Sequence, residues 1–220
     1  GALAPQKCYW YLAHFSWVDG ECHLDCDKPE DVFISDDGGA DVAIKFISPY
    51  ESTKAVGVWQ DLAGTSTKQK EEIISQVRAT HNALNQRPLP RHLNWIGFKQ
   101  ATWKTIEFVL PATTFSLSDC LEIEKEIYRP LLPKLGCNRN YPLLLRYCDS
   151  QLMGLGLYNI YWEQGISKVK VLLTHGGTST YTGGLIQSAL EQHQLAVGMV
   201  EPIFSLPYKD HCHLTSSSWI

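Results

Sequence analysis

The stretch from Trp95 to Phe115, WIGFKQATWKTIEFVLPATTF, decides how this chain is read. Its pattern predicts a helix from about Arg91 to Leu110, with Leu93, Ile96, Trp103, Ile106 and Leu110 near one face. Pro111 cannot donate to a continuing helix and ends it. Taken alone the segment is a core helix that happens to carry two lysines, Lys99 and Lys104.

Helical periodicity extends to both sides. Thr67 is placed to cap a helix whose first turn carries Glu71 and Glu72, with Ile73, Val77 and Leu84 on one stripe, ending at Pro88-Leu89-Pro90. A third helix is predicted from Ser116 or Ser118, with Cys120, Ile123, Ile127 and Leu131 inward and a stop before Pro133. Its outer face, Glu122, Glu124, Lys125, Glu126 and Arg129, reads as solvated charge. Residues 134–157 hold several turn formers and no long period, which predicts an ordered connector. Two more helices are expected, from about Tyr158 to His175 and from Thr182 to Val197, parted by Gly176-Gly177 and with Thr182 as a cap. The tail after Gly198 has no periodic pattern.

Before residue 63 the period is two. CYWYLAHFSWV, the Asp19-Gly20 turn signal and ECHLDC predict one antiparallel hairpin. DVFIS, Asp36-Asp37-Gly38-Gly39 and DVAIKFI predict another, with Val42, Ile44 and Phe46 alternating. KAVGVWQD reads as one further strand, Val56 and Val58 on one face, Gly57 and Trp59 on the other. The expected fold is therefore α+β, divided as a strand-rich segment 1–62, a helical segment 63–133, the connector 134–157 and C-terminal helices and tail 158–220.

With 220 residues, 44% of them hydrophobic, the chain has the composition of a globular protein with a sizeable core. No apolar run reaches the roughly 18 residues that a membrane span needs. The chain opens Gly1-Ala2-Leu3-Ala4, which raises the expectation of a longer reading frame upstream. Seven cysteines lie without a regular framework, and most of them are read as reduced thiols, hence an intracellular protein. The net charge of −4 excludes a generic basic nucleic-acid binder, yet it is unevenly spread. Residues 1–72 carry 13 acids and 6 bases, leaving 10 acids and 13 bases for the remainder, where an anionic partner would bind.

In this order, the segments resemble the reverse transcriptases of non-LTR retrotransposons, from the end of the palm through the thumb, over roughly residues 1–165. GALAPQKCYWYL is similar to the segment that follows the catalytic loop, with Gly1, Pro5 and Lys7 at matching positions. KAVGVWQD resembles the primer grip around Gly57, Val56 standing where a leucine is usual, and it makes Trp59 a contact residue. Trp95, Gly97, Lys99, Lys104, Leu110 and Pro111 fall where the thumb carries like residues. Phe98 departs from the basic residue that commonly follows the glycine, and the Lys104 to Pro111 spacing is long. LPKLGCNRNYP and GLGL resemble the post-thumb connector.

The resemblance implies an RNA/DNA template-primer duplex as partner, together with the upstream palm and fingers of the same polyprotein. Its contacts would be Lys7, Gly57, Trp59, Lys99, Trp103, Lys104, Arg139, Tyr141 and Arg146, cations for phosphates and flat groups for sugars and bases. Polymerisation in this family takes paired Mg2+ held by aspartates. The expected aromatic-x-Asp-Asp loop does not occur here, and Asp36-Asp37 reads as a turn. The chain alone is thus expected to be inactive, with catalysis and Mg2+ supplied by the upstream palm. Orphan strands also imply marginal stability or aggregation.

Other constellations carry less. Cys22, His23 and Cys26 with His211, Cys212 and His213 have zinc-ligand types at poor spacing, the mark of a weak metal-binding alternative. HGGTSTYTGG from His175 lacks the Gly-Lys-Ser/Thr end of a phosphate loop and reads as a turn between helices. The principal rival is a non-catalytic helical interaction protein, or a decayed retroelement remnant that keeps the fold without the grip.

Overall fold

In the computed structural model the structure describes residues 8–12, 14–25, 30–35, 39–86, 88–196, 198–202, 205, 207 and 209. It divides into two units, residues 1–69 and 70–220. Strands occupy the first and helices the second, an α+β protein.

The first unit is built of two-stranded pairs. β1 (Tyr9–Trp10) runs parallel to β6 (Lys45–Phe46), while β2 (His14–Val18) with β3 (Glu21–Asp25) and β4 (Phe33–Ser35) with β5 (Asp41–Ala43) form the two predicted antiparallel hairpins. Asp19 and Gly20 take φ of 52° and 84°, the left-handed pair that matches the twist of a two-residue hairpin. Trp10 anchors the parallel pair: its indole donates to the Ile44 carbonyl at 3.2 Å and meets Phe46 edge-on at 5.0 Å. Ile44 and Ile47 are buried, and the alternation at Val42, Ile44 and Phe46 holds.

KAVGVWQD departs from its expected form. It is itself a hairpin, β7 (Thr53–Ala55) against β8 (Val58–Gln60), turned at Val56 (φ 50°) and Gly57 (φ 89°). Val56 therefore sits exposed at the tip rather than on a strand face with buried Val58. A β-branched residue is unusual in the left-handed region, which is why the local pattern argues for a continuous strand.

Helix α1 (Thr67–Asn85) begins on Thr67 itself, so Glu71 and Glu72 lie beyond its first turn. Ile73 and Val77 are buried as the stripe requires. The segment around Trp95 is one helical rod in three parts: α2 (Arg91–Gly97), a π-helical turn (Phe98–Trp103) and α3 (Lys104–Val109), closed by a 3-10 turn at Leu110–Ala112. Here the predicted face shifts. Leu93 and Ile96 are exposed, Trp103, Ile106 and Leu110 are buried as that face requires, and Asn94 and Phe98 are buried with them. The five-residue step from Phe98 to Trp103 is too long for an α-helical face, and the wide π turn absorbs the extra residue.

Helix α4 (Leu117–Lys134) is started by a capping box in which Ser116 and Asp119 satisfy each other's backbone N–H. It runs through Pro130 and Pro133 rather than stopping before the latter. Lys70 and Arg78 of α1 bridge to its Asp119, Glu122 and Glu126. The connector contains a short helix α5 (Leu143–Tyr147), and it is tied down by Leu155 and Leu157 N–H groups donating to the Leu145 and Arg146 carbonyls. Gly154 is required there, since a Cβ would lie 2.0 Å from the Cys148 oxygen.

Helix α6 (Ile160–His175) is capped by Asn159. Its Gln164 is fully buried and grips both backbone groups of Phe115, accepting at 2.9 Å and donating at 3.0 Å. Helix α7 (Tyr181–Ala196) starts one residue before Thr182, and Thr180 supplies the cap through the Gly183 N–H. Among the described residues, no helix is long and apolar enough to cross a membrane.

Candidate nucleic-acid interface

The end of α4 generates a cleft. Leu135 closes the helix, Gly136 turns left-handed at φ 80°, and the N–H groups of Gly136 and Cys137 donate back to the Pro133 and Leu132 carbonyls. These two hydrogen bonds to the last turn reverse the chain. Asn138 then accepts from the Asn140 N–H at 2.8 Å, and the turn Asn138-Arg139-Asn140 is held beside α4. Leu121, Lys125 and Arg129 of α4 face that turn and Leu143 and Arg146 of α5 across a space of about 750 Å3.

Glu124 lies in the same lining and is the most informative residue of the site. Expected on the solvated face, it is only 3% exposed. One carboxylate oxygen accepts from the Ile160 N–H at 2.7 Å and the other from the Tyr147 hydroxyl. Burial pushes its pKa up, while those two donors and the nearby Arg146 guanidinium favour the charged form. Tyr128, fully buried, donates to the Tyr158 carbonyl, and burial holds its own hydroxyl well above the ordinary range. The signal for Glu124 was present: it stands four residues from both Cys120 and Tyr128, on the stripe that reaches Leu131.

Arg146 packs its guanidinium over the Tyr128 ring at 5.6 Å and donates to the Tyr141 carbonyl at 3.3 Å. Its Nε–H has no acceptor among the described residues. Lys125, Arg129 and Arg139 are exposed, and among the described residues none of the three is in an ion pair. The lining thus counts four cations against one carboxylate, whose oxygens are already occupied.

The expected contact residues divide between several places. Arg139 and Arg146 meet in this cleft, with Tyr141 joined to it through its carbonyl. Lys99 lies elsewhere, over the Trp95 ring at 4.8 Å and the Tyr158 ring at 6.0 Å. Lys104 bonds Glu107 at 2.6 Å, which raises its pKa. Trp103 is corrected from a contact residue to a core one: it is 3% exposed and stacks on Tyr158 at 4.1 Å. In the first unit, Gly57 shapes a turn, and the Lys54 and Lys68 ammonium groups lie over the Trp59 ring at 5.7 and 5.9 Å. Lys7 lies outside the described residues. Lys125 and Arg129, read from the sequence as solvated charge, and Asn138 and Asn140, to which it gave no role, also line the cleft.

No family model, no curated protein and no solved structure matches this chain.

Among the described residues, no three His, Cys, Asp or Glu side chains come together as a metal site. Asp36, Asp37, Cys26, His211, Cys212 and His213 lie outside those residues, as does the side chain of Cys22.

Proposed function

We propose that this chain is the late-palm and thumb part of an RNA-directed DNA polymerase of the non-LTR retrotransposon type, and that it holds the template-primer duplex. The observation that carries the reading is the cleft of Lys125, Arg129, Arg139 and Arg146, which concentrates cations in the half of the chain with positive charge balance. Phosphate recognition needs charge that is not already neutralised, and Lys125, Arg129 and Arg139, in no ion pair among the described residues, supply it. Lys99, poised over Trp95, adds a cation on a second surface of the same unit. Catalytic aspartates and Mg2+ belong to the upstream palm in this reading.

The test is binding of a blunt RNA/DNA hybrid to the full chain by fluorescence anisotropy over a salt series. Affinity should fall with salt by a logarithmic slope of about 0.9 or less per phosphate contacted. Arg129→Ala with Arg139→Ala, and separately Lys99→Ala with Lys104→Ala, should each weaken binding. No binding, or binding indifferent to salt, overturns the proposal.

One observation favours the rival, a helical interaction protein. Trp162, Ile166, Val169 and Leu173 form an exposed apolar stripe at helical spacing along α6. In the polymerase reading that stripe is available to the upstream part of the polyprotein.

A further inference from the structure

We propose that the cleft between α4 and α5 receives a single unpaired nucleotide of the bound nucleic acid. The idea rests on the duplex-binding reading and says which part of the partner enters.

The space of about 750 Å3 has the size of a small-molecule site, for which about 300–1,000 Å3 is usual. A double helix presents its phosphates on the outside and keeps its bases stacked within, so a pocket of this size can take only what has left the helix. The lining is also mixed in a way that phosphates alone would not use. Leu121 and Leu143 are exposed apolar walls on opposite elements, suited to the two faces of a base. Neither the Asn138 nor the Asn140 side-chain NH2 has an acceptor among the described residues, so both can donate to a base edge. Lys125 and Arg139 remain for the flanking phosphates. The Nε–H of Arg146 lacks an acceptor, so turning its guanidinium to a ligand oxygen sacrifices no bond at that atom.

The experiment uses the full chain and two RNA/DNA hybrids of equal duplex length, one blunt and one with a three-nucleotide RNA overhang carrying 2-aminopurine at its first unpaired position. The overhang should bind about tenfold tighter than the blunt hybrid, with a saturable change in 2-aminopurine fluorescence. Leu121→Ser with Leu143→Ser, both at exposed positions, should abolish the preference and the fluorescence change while leaving blunt binding within about twofold. Equal affinity for the two hybrids, an unchanged fluorophore, or a Leu variant that weakens both hybrids alike would each overturn the pocket. If only the overhanging substrate binds, and the fluorophore still reports, the pocket stands and the duplex-binding reading fails. If the blunt hybrid binds with the expected salt dependence and the overhang adds nothing, the reverse holds.

Discussion

Glu124 shows how one side chain can organise several elements. Its carboxylate receives the Tyr147 hydroxyl from α5 and the Ile160 amide from the first turn of α6. Glu124→Leu would leave both donors unpaired in a buried place, at a cost of about 1–3 kcal/mol for each. The expected outcome is a lower denaturation midpoint in urea with an unchanged slope. His81 offers a second measurement. It is buried on α1, and burial first, then the Lys134 charge, push its pKa from 6.5 down to about 4, with Glu126 opposing. The folded state therefore binds this proton less readily than the unfolded one. Stability should fall as pH drops from about 6.5 to about 4, and be indifferent to this group below that. His81→Asn should flatten that part of the stability profile, measured by urea midpoints across the range. An identical profile in the variant would remove His81 from the account.

At the scale of elements, the π turn makes a testable demand. Phe98 and Trp103 are both buried although they are five residues apart, and exposed Ala101 lies between them. Deleting Ala101 shortens that step to four, the natural spacing of an α-helix. Helix content and melting temperature should therefore survive the deletion, whereas inserting one alanine after Ala101 should lower the melting temperature sharply. Circular dichroism on heating distinguishes the two. The same turn explains the limits of the sequence reading. Helix positions were legible from periodicity at Ile73, Val77, Cys120, Ile123 and Ile127, but Leu93 and Ile96 were assigned to the core because a constant period was assumed through Phe98. The Val56-Gly57 turn was hidden for a different reason: valine seldom takes that conformation, so KAVGVWQD looked like one strand. Of the cleft, Arg139 and Arg146 were legible as cations that the resemblance places on the duplex. Lys125 and Arg129 were not, because their role depends on the reversal at Gly136 that brings Arg139 back alongside them.

For the whole molecule, the two units differ in how well they bury their apolar residues. The helical unit encloses Phe98, Phe115, Tyr128 and Ile160 almost completely. In the strand unit, Phe15 and Trp17 share one face of β2 and are 57% and 73% exposed. Paired strands with an uncovered aromatic face are prone to association. The apparent molar mass of the full chain from light scattering should rise with concentration, and Phe15→Lys with Trp17→Lys should suppress the rise without changing the helical signal. Scattering unaffected by the substitutions would direct attention to the α6 stripe instead.

The Ile160 amide bonds to a carboxylate on another helix rather than to a carbonyl of its own. Its exchange with solvent deuterium therefore keeps time with the anchoring of α6 on α4, and with the integrity of the cleft wall that Glu124 supports. A single backbone proton becomes a clock for the site, readable by mass spectrometry or NMR without any attached fluorophore, and an occupied cleft should slow it.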